Sequence, residues 1–129
     1  MTVRRTRFDL PDLAPEIVRR RGLIEARMSA APDRAGVEEV LVRTATLLDL
    51  RTYDAPVIFA PADGDGREEN AGFDAFLPLI DSGISGYFWT KAGFASILVY
   101  SCKAFDLSAA EPWLSERLGF TGDVLLADF

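Results

Sequence analysis

The stretch "PLIDSGISGYFWTKAGFASILVYSC", Pro78 to Cys102, decides how the fold is read. Two runs rich in aromatic and β-branched residues, "ISGYFWT" and "FASILVYS", are separated only by Lys91, Ala92 and Gly93, which is the length and composition of a hairpin turn. Just upstream, "FDAFLPLI" has strand character up to Asp81, and Asp81, Ser82 and Gly83 form a second corner. Strands joined this tightly pair antiparallel.

Working outward, "PVIFA" (Pro56 to Ala60) reads as a short buried strand, and Pro61 to Gly72 as a long loop of glycines and charges. "LIEARMSA" (Leu23 to Ala30) alternates as a first strand. Asp33 is an N-cap candidate for a helix over 34–49, because Val37, Val40, Leu41, Thr44, Leu47 and Leu48 recur at helical spacing. Ser108 with Glu111 three residues later predicts a capping box, and Pro112 falls in the first turn of a helix running to about Leu118. "GDVLLADF" closes the chain as a strand. The order strand, helix, several strands, helix, strand predicts an α+β two-layer sandwich, an antiparallel sheet with two helices on one face. The other face needs cover, and Phe88, Ile97 and Val99 with their alternating neighbours point to a homodimer formed through a sheet face or edge.

The chain has 129 residues, one domain's worth, and about half of them are apolar. Its formal charge is −6, unevenly spread. The first 21 residues hold six arginines (Arg4, Arg5, Arg7, Arg19, Arg20, Arg21) against Asp9, Asp12 and Glu16, so residues 1–21 read as a basic arm ahead of a domain over 22–129. The acidic remainder disfavours nucleic acid as a partner. Without a membrane-spanning run or an apolar leader, and with one cysteine, the expected place is the cytoplasm. Histidine is absent altogether, which removes Ser-His-Asp and Cys-His catalysis and histidine-ligated zinc. The "DGDGREEN" loop fails as a calcium loop: counting from Asp63, Arg67 stands fifth and Glu68 sixth, where an oxygen ligand and glycine are needed. No metal is expected.

Within the deciding stretch, Asp81, Ser82, Ser85, Trp89, Gly93 to Ser96 ("GFAS") and Tyr100 to Cys102 ("YSC") fall into a spacing that resembles a known family without a gap over twenty-two positions. That family is the prokaryotic S-adenosylmethionine decarboxylases, in their short bacterial class, whose motif runs Glu-Ser-His-x-Ser-x-His-Thr-Trp-Pro-Glu before a Gly-Tyr-Ala-Ala hairpin and a strand ending Phe-Thr-Cys. The resemblance covers residues 22 to 129 and is firmest over 73 to 118. It implies that Ser82 attacks the Asp81 carbonyl, that the chain is cleaved between Asp81 and Ser82, and that Ser82 becomes a pyruvoyl group serving as electron sink for loss of carbon dioxide. It further implies that Cys102 is the proton donor, that the substrate is S-adenosylmethionine or a related amino acid, and that the activity belongs to polyamine biosynthesis.

The departures are equally specific. The family's processing histidine falls on Tyr87 and the histidine after its serine falls on Gly83. A phenol titrates near 10 against about 6.5 for imidazole, a gap of roughly 4 to 5 kcal/mol for a base working at neutral pH. The catalytic candidates are thus Ser82, Cys102, Tyr87 and Asp81. Glu68 or Glu69 is the candidate to pair with a cationic substrate, and Phe73 or Trp89 to stack on an adenine. The histidine-free sequence leaves two alternatives open: an unprocessed protein that binds S-adenosylmethionine or acts as a non-pyruvoyl lyase, and a catalytically dead regulatory partner.

Overall fold

The computed structural model describes residues 2–60 and 68–129. The strands are β1 (Val3–Arg7), β2 (Arg20–Met28), β3 (Val57–Phe59), β4 (Gly72–Leu79), β5 (Ser82–Trp89), β6 (Phe94–Ser101) and β7 (Phe120–Asp128), and the helices α1 (Arg34–Leu47) and α2 (Glu111–Leu118). They form one seven-stranded sheet in the order β1-β7-β2-β6-β5-β4-β3. The expected two-layer α+β sandwich is what the chain adopts, with one departure: β1 runs parallel to β7, so the sheet is mixed. The stretch from Asp63 to Arg67, weighed and rejected as a calcium loop, lies outside the described residues.

The two hairpins of the opening stretch fall where the turn residues put them. β4 and β5 pair from Leu79↔Ser82 to Gly72↔Trp89, and β5 and β6 from Ser82↔Ser101 to Trp89↔Phe94. Strand periodicity then sorts the side chains between two faces. Ala75, Leu77, Leu79, Ile84, Phe88, Ile97 and Val99 turn toward the helices and are buried. Each large apolar side chain removed from water in this way contributes about 1.5–3 kcal/mol. Phe88, Ile97 and Val99, expected on the bare face, therefore belong to the core under the helices. The bare face carries their odd or even opposites instead: Phe59, Phe76, Tyr87 and Tyr100 are all exposed.

Helix α1 starts at Asp33, whose carboxylate accepts from the Gly36 amide at 2.8 Å. Gly36, Val37, Val40, Leu41, Thr44 and Ala45 form its buried stripe over β4 and β5. It stops two residues before the expected end because Asp49 takes the left-handed conformation (φ 57°) while the Leu50 amide turns back to the Ala45 carbonyl at 2.8 Å. The expected capping box of α2 does not form. Ser108 lies in a short 3-10 turn over Leu107–Ala109, capped by Asp106, and Glu111 accepts from Ser115 inside the helix. With Ala110 at the N-cap position, α2 has no side-chain cap at all.

The basic head is not a separate arm. Val3–Arg7 adds an edge strand to β7, and Arg20 and Arg21 already belong to β2, so no boundary falls at residue 21. Charged side chains are well tolerated on an edge strand, and this one covers the hydrogen-bonding edge of β7. Among the described residues no helix is long and apolar enough to cross a membrane, and no three acidic, cysteine or histidine side chains gather to hold a metal.

Candidate functional site

The site is built at one end of the sheet, where the β4–β5 turn meets the end of β6. Ser82 opens β5, is exposed, and has φ 128°, a region that side-chain-bearing residues rarely enter. Its antiparallel partner on β6 is Ser101, so Cys102 follows immediately on the neighbouring strand, about 5 Å away in the sheet. The Cys102 amide donates to the Asp81 carbonyl at 3.0 Å. That carbonyl belongs to the peptide bond joining Asp81 to Ser82. The Cys102 thiol is free and exposed.

Asp81 is turned the other way. Its side chain is only 6 % exposed and meets Arg51, which lies in the segment after α1: Nη2 donates at 2.9 Å, Nε at 3.4 Å and the Arg51 backbone amide at 3.2 Å. These hydrogen bonds, led by the guanidinium, hold the Asp81 carboxyl below the usual carboxylate range, and the same contacts push Arg51 up. The Ile80 amide also donates to the Arg51 carbonyl at 2.8 Å, so the turn is gripped through backbone as well as charge. Beside it, Lys103 Nζ bonds the Asp49 carbonyl at 2.7 Å.

On the bare face next to Ser82 lies a cavity of about 290 Å³ lined by Phe76, Ser82, Gly83, Ser85, Leu98 and Tyr100. Gly83 makes room for its wall: a Cβ there would stand 2.5 Å from the Phe76 ring. This is the position where the resembling family has a histidine, and here the ring of Phe76 takes up the space.

Of the residues picked from sequence, Asp81, Ser82 and Cys102 come together. Tyr87 stands five residues along β5, roughly 17 Å from Ser82 at ~3.3 Å per residue, and it is exposed on the bare face. Phe73 and Trp89 sit at the opposite end of the β4–β5 hairpin. Trp89 packs against Phe94 with ring centroids 5.7 Å apart, and Phe73 lies under Arg34 at 5.8 Å. Glu68 is at that far end too, paired with Lys91 at 2.9 Å, and Glu69 follows it in the same short 3-10 turn. Within one chain none of these five reaches Ser82. Ser101, which pairs with Ser82, and Arg51, which holds Asp81, carried no signal in the sequence: Arg51 follows a helix in an ordinary polar loop, and its approach to Asp81 depends on how α1 crosses the sheet.

No known family profile matches the sequence, and no curated protein matches it. Among solved structures, the chain is similar to the crystal structure of the adenosylmethionine decarboxylase from Aquifex aeolicus VF5, with a TM-score of 0.64 and 18% sequence identity over 88% of this chain and 89% of that one. At that identity the likeness is one of fold, and it spans nearly the whole of both chains.

Proposed function

We propose that the protein is a lyase of the S-adenosylmethionine decarboxylase kind, which cleaves itself between Asp81 and Ser82 and decarboxylates S-adenosylmethionine or a related amino acid. The observation that carries this reading is the hydrogen bond from the Cys102 amide to the Asp81 carbonyl, 3.0 Å long, beside an exposed serine at a strained backbone angle.

An amide aimed at that carbonyl stabilises the negative charge that grows on its oxygen when the Ser82 hydroxyl adds to the carbon. A single such donor contributes about 2.7–4 kcal/mol in acyl transfer. The hydroxyl proton moves to the Ser82 nitrogen as the carbon–nitrogen bond breaks, leaving an ester. Loss of the Ser82 Cα proton then breaks the Cβ–oxygen bond and releases the backbone carboxylate of residue 81 as a new C-terminus, and water displaces ammonia to leave a ketone at residue 82. Breaking the strained bond at Ser82 also releases backbone strain of about 1–3 kcal/mol. A pyruvoyl group formed at residue 82 would supply an electron sink for a bound amino acid. Cys102 Sγ returns a proton to the carbon that loses carbon dioxide. Arg51 keeps the Asp81 carboxylate engaged and away from the thiol.

The purified chain should therefore appear by mass spectrometry as two pieces, residues 1–81 and 82–129, with the second reactive toward hydroxylamine. A second reading, an unprocessed protein binding S-adenosylmethionine, is favoured by the distance of Tyr87 from Ser82 in a chain without histidine. Its expected outcome in the same experiment is one intact mass, a lack of hydroxylamine reactivity, and a melting temperature raised by S-adenosylmethionine.

A further inference from the structure

At the other edge of the sheet the basic head closes a second cavity, of about 460 Å³. Arg7, Arg19, Arg20 and Arg21 line it, with Phe8 and Phe105 as aromatic walls. Asp9, Asp12 and Asp128 are there as well, so the lining holds four arginines and three aspartates. The four arginines are not equally committed. Arg19 pairs with Asp12 and donates to the Ala14 carbonyl at 3.2 Å. Arg21 donates from Nε to the Phe129 carbonyl at 2.9 Å and lies over the Phe129 ring. Arg7 stands 3.7 Å from Asp9, both largely exposed, a pair that holds little. Arg20 has no partner among the described residues.

The fold explains how these charges are brought together. β1 ends at Arg7 beside Asp128 of β7, β2 begins at Arg20 on the other side of β7, and the chain between them loops back over the gap. Phe105 enters from the segment before α2 and packs against Gly22. Phe8, 56 % exposed at the rim, contributes nothing to the core. An unpaired guanidinium, a second one loosely held and an exposed ring around one hollow make a receptor for an anion that also carries a planar ring. Guanidinium forks match phosphate oxygens, and phenyl faces match a heteroaromatic base. The volume is in the ~300–1,000 Å³ range of small-molecule sites.

We infer that this cavity binds a phosphate monoester of mononucleotide type, with Arg20 and Arg7 on the phosphate and Phe8 against the ring. The site does not use Ser82 and stands whether or not the chain is cleaved. Titration calorimetry on the full chain tests it, with adenosine 5′-monophosphate, adenosine and inorganic phosphate as separate probes. The monophosphate should bind at least about tenfold more tightly than either part alone, with affinity falling as salt rises. Arg20→Gln, whose side chain has no partner to lose, should melt as the wild type does and lose about tenfold in affinity. Arg7→Gln should weaken binding as well, and Ser82→Ala should leave it unchanged, separating this cavity from the Ser82 corner. Absence of binding at millimolar monophosphate overturns the inference, as does affinity indifferent to both arginine variants. Inorganic phosphate binding as tightly as the monophosphate overturns the role given to Phe8.

Discussion

Ser82 combines a hydroxyl that a cleavage reaction needs with a backbone angle that a serine pays to hold. At φ 128° a Cβ is strained, whereas glycine occupies that region freely. Two variants that both lack the hydroxyl separate these properties. Ser82→Gly should be more stable than Ser82→Ala by about 1 kcal/mol, the relief of strain less the extra freedom glycine gains in the unfolded chain. Urea denaturation of the two uncleaved proteins measures the difference, and equal midpoints would mean that the angle at residue 82 is not held under strain. The sequence made Ser82 legible through its spacing to Cys102, since hairpin pairing converts nineteen intervening residues into neighbouring strands. It did not make Arg51 legible, because no local rule connects a loop after a helix with a turn thirty residues later.

At the scale of elements, the Arg51–Asp81 pair ties the segment following α1 to the β4–β5 turn. The Asp81 carboxyl is held below its ordinary range by the hydrogen bonds of Arg51, so the folded state binds this proton less readily than the unfolded chain. The stabilisation is then fully present above the unfolded value near 3.9 and is lost as pH falls through the lower folded value. In a Ser82→Ala background, to keep every chain intact, Asp81→Asn should be less stable than its parent by a constant margin between about pH 5 and 7, a margin that closes under stronger acid. Chemical denaturation at a series of pH values follows it, and a margin unchanged at pH 3 would place the pair's contribution elsewhere than in charge. Elements with strong local signals were readable: the stripe from Val37 to Leu48 and the two hairpins needed only periodicity and turn residues. Strand β1 was not, because three arginines in five residues hide the alternation, and the edge of β7 that recruits them is set by tertiary structure.

At the scale of the whole molecule, Tyr87 and Ser82 raise the question of a second copy. They stand roughly 17 Å apart on one strand, and their midpoint falls between Ile84 and Ser85, beside the bare-face cavity. A two-fold axis passing above that midpoint, parallel to the sheet and perpendicular to β5, would lay β5 over its own copy in reverse, setting the Tyr87 of each chain over the Ser82 end of the other's β5. The exposed Phe59, Phe76 and Tyr100 on the same face would then be covered. In that arrangement the Tyr87 phenol of one chain would stand at the Ser82 corner of its neighbour. Under it, Tyr87→Phe alone and Ser82→Ala alone both remain uncleaved. Co-expressed with distinguishable tags, the two variants form mixed dimers in which the Tyr87→Phe chain, which keeps its serine, is cut by the tyrosine of the Ser82→Ala chain. In the same arrangement Phe76→Glu, placing a charge on the bare face, would give monomers by light scattering where the wild type gives dimers, and would abolish cleavage with them. A Tyr87→Phe protein that cleaves as the wild type does, or a mixture in which neither chain is cut, would remove both the tyrosine and the second copy from the reaction.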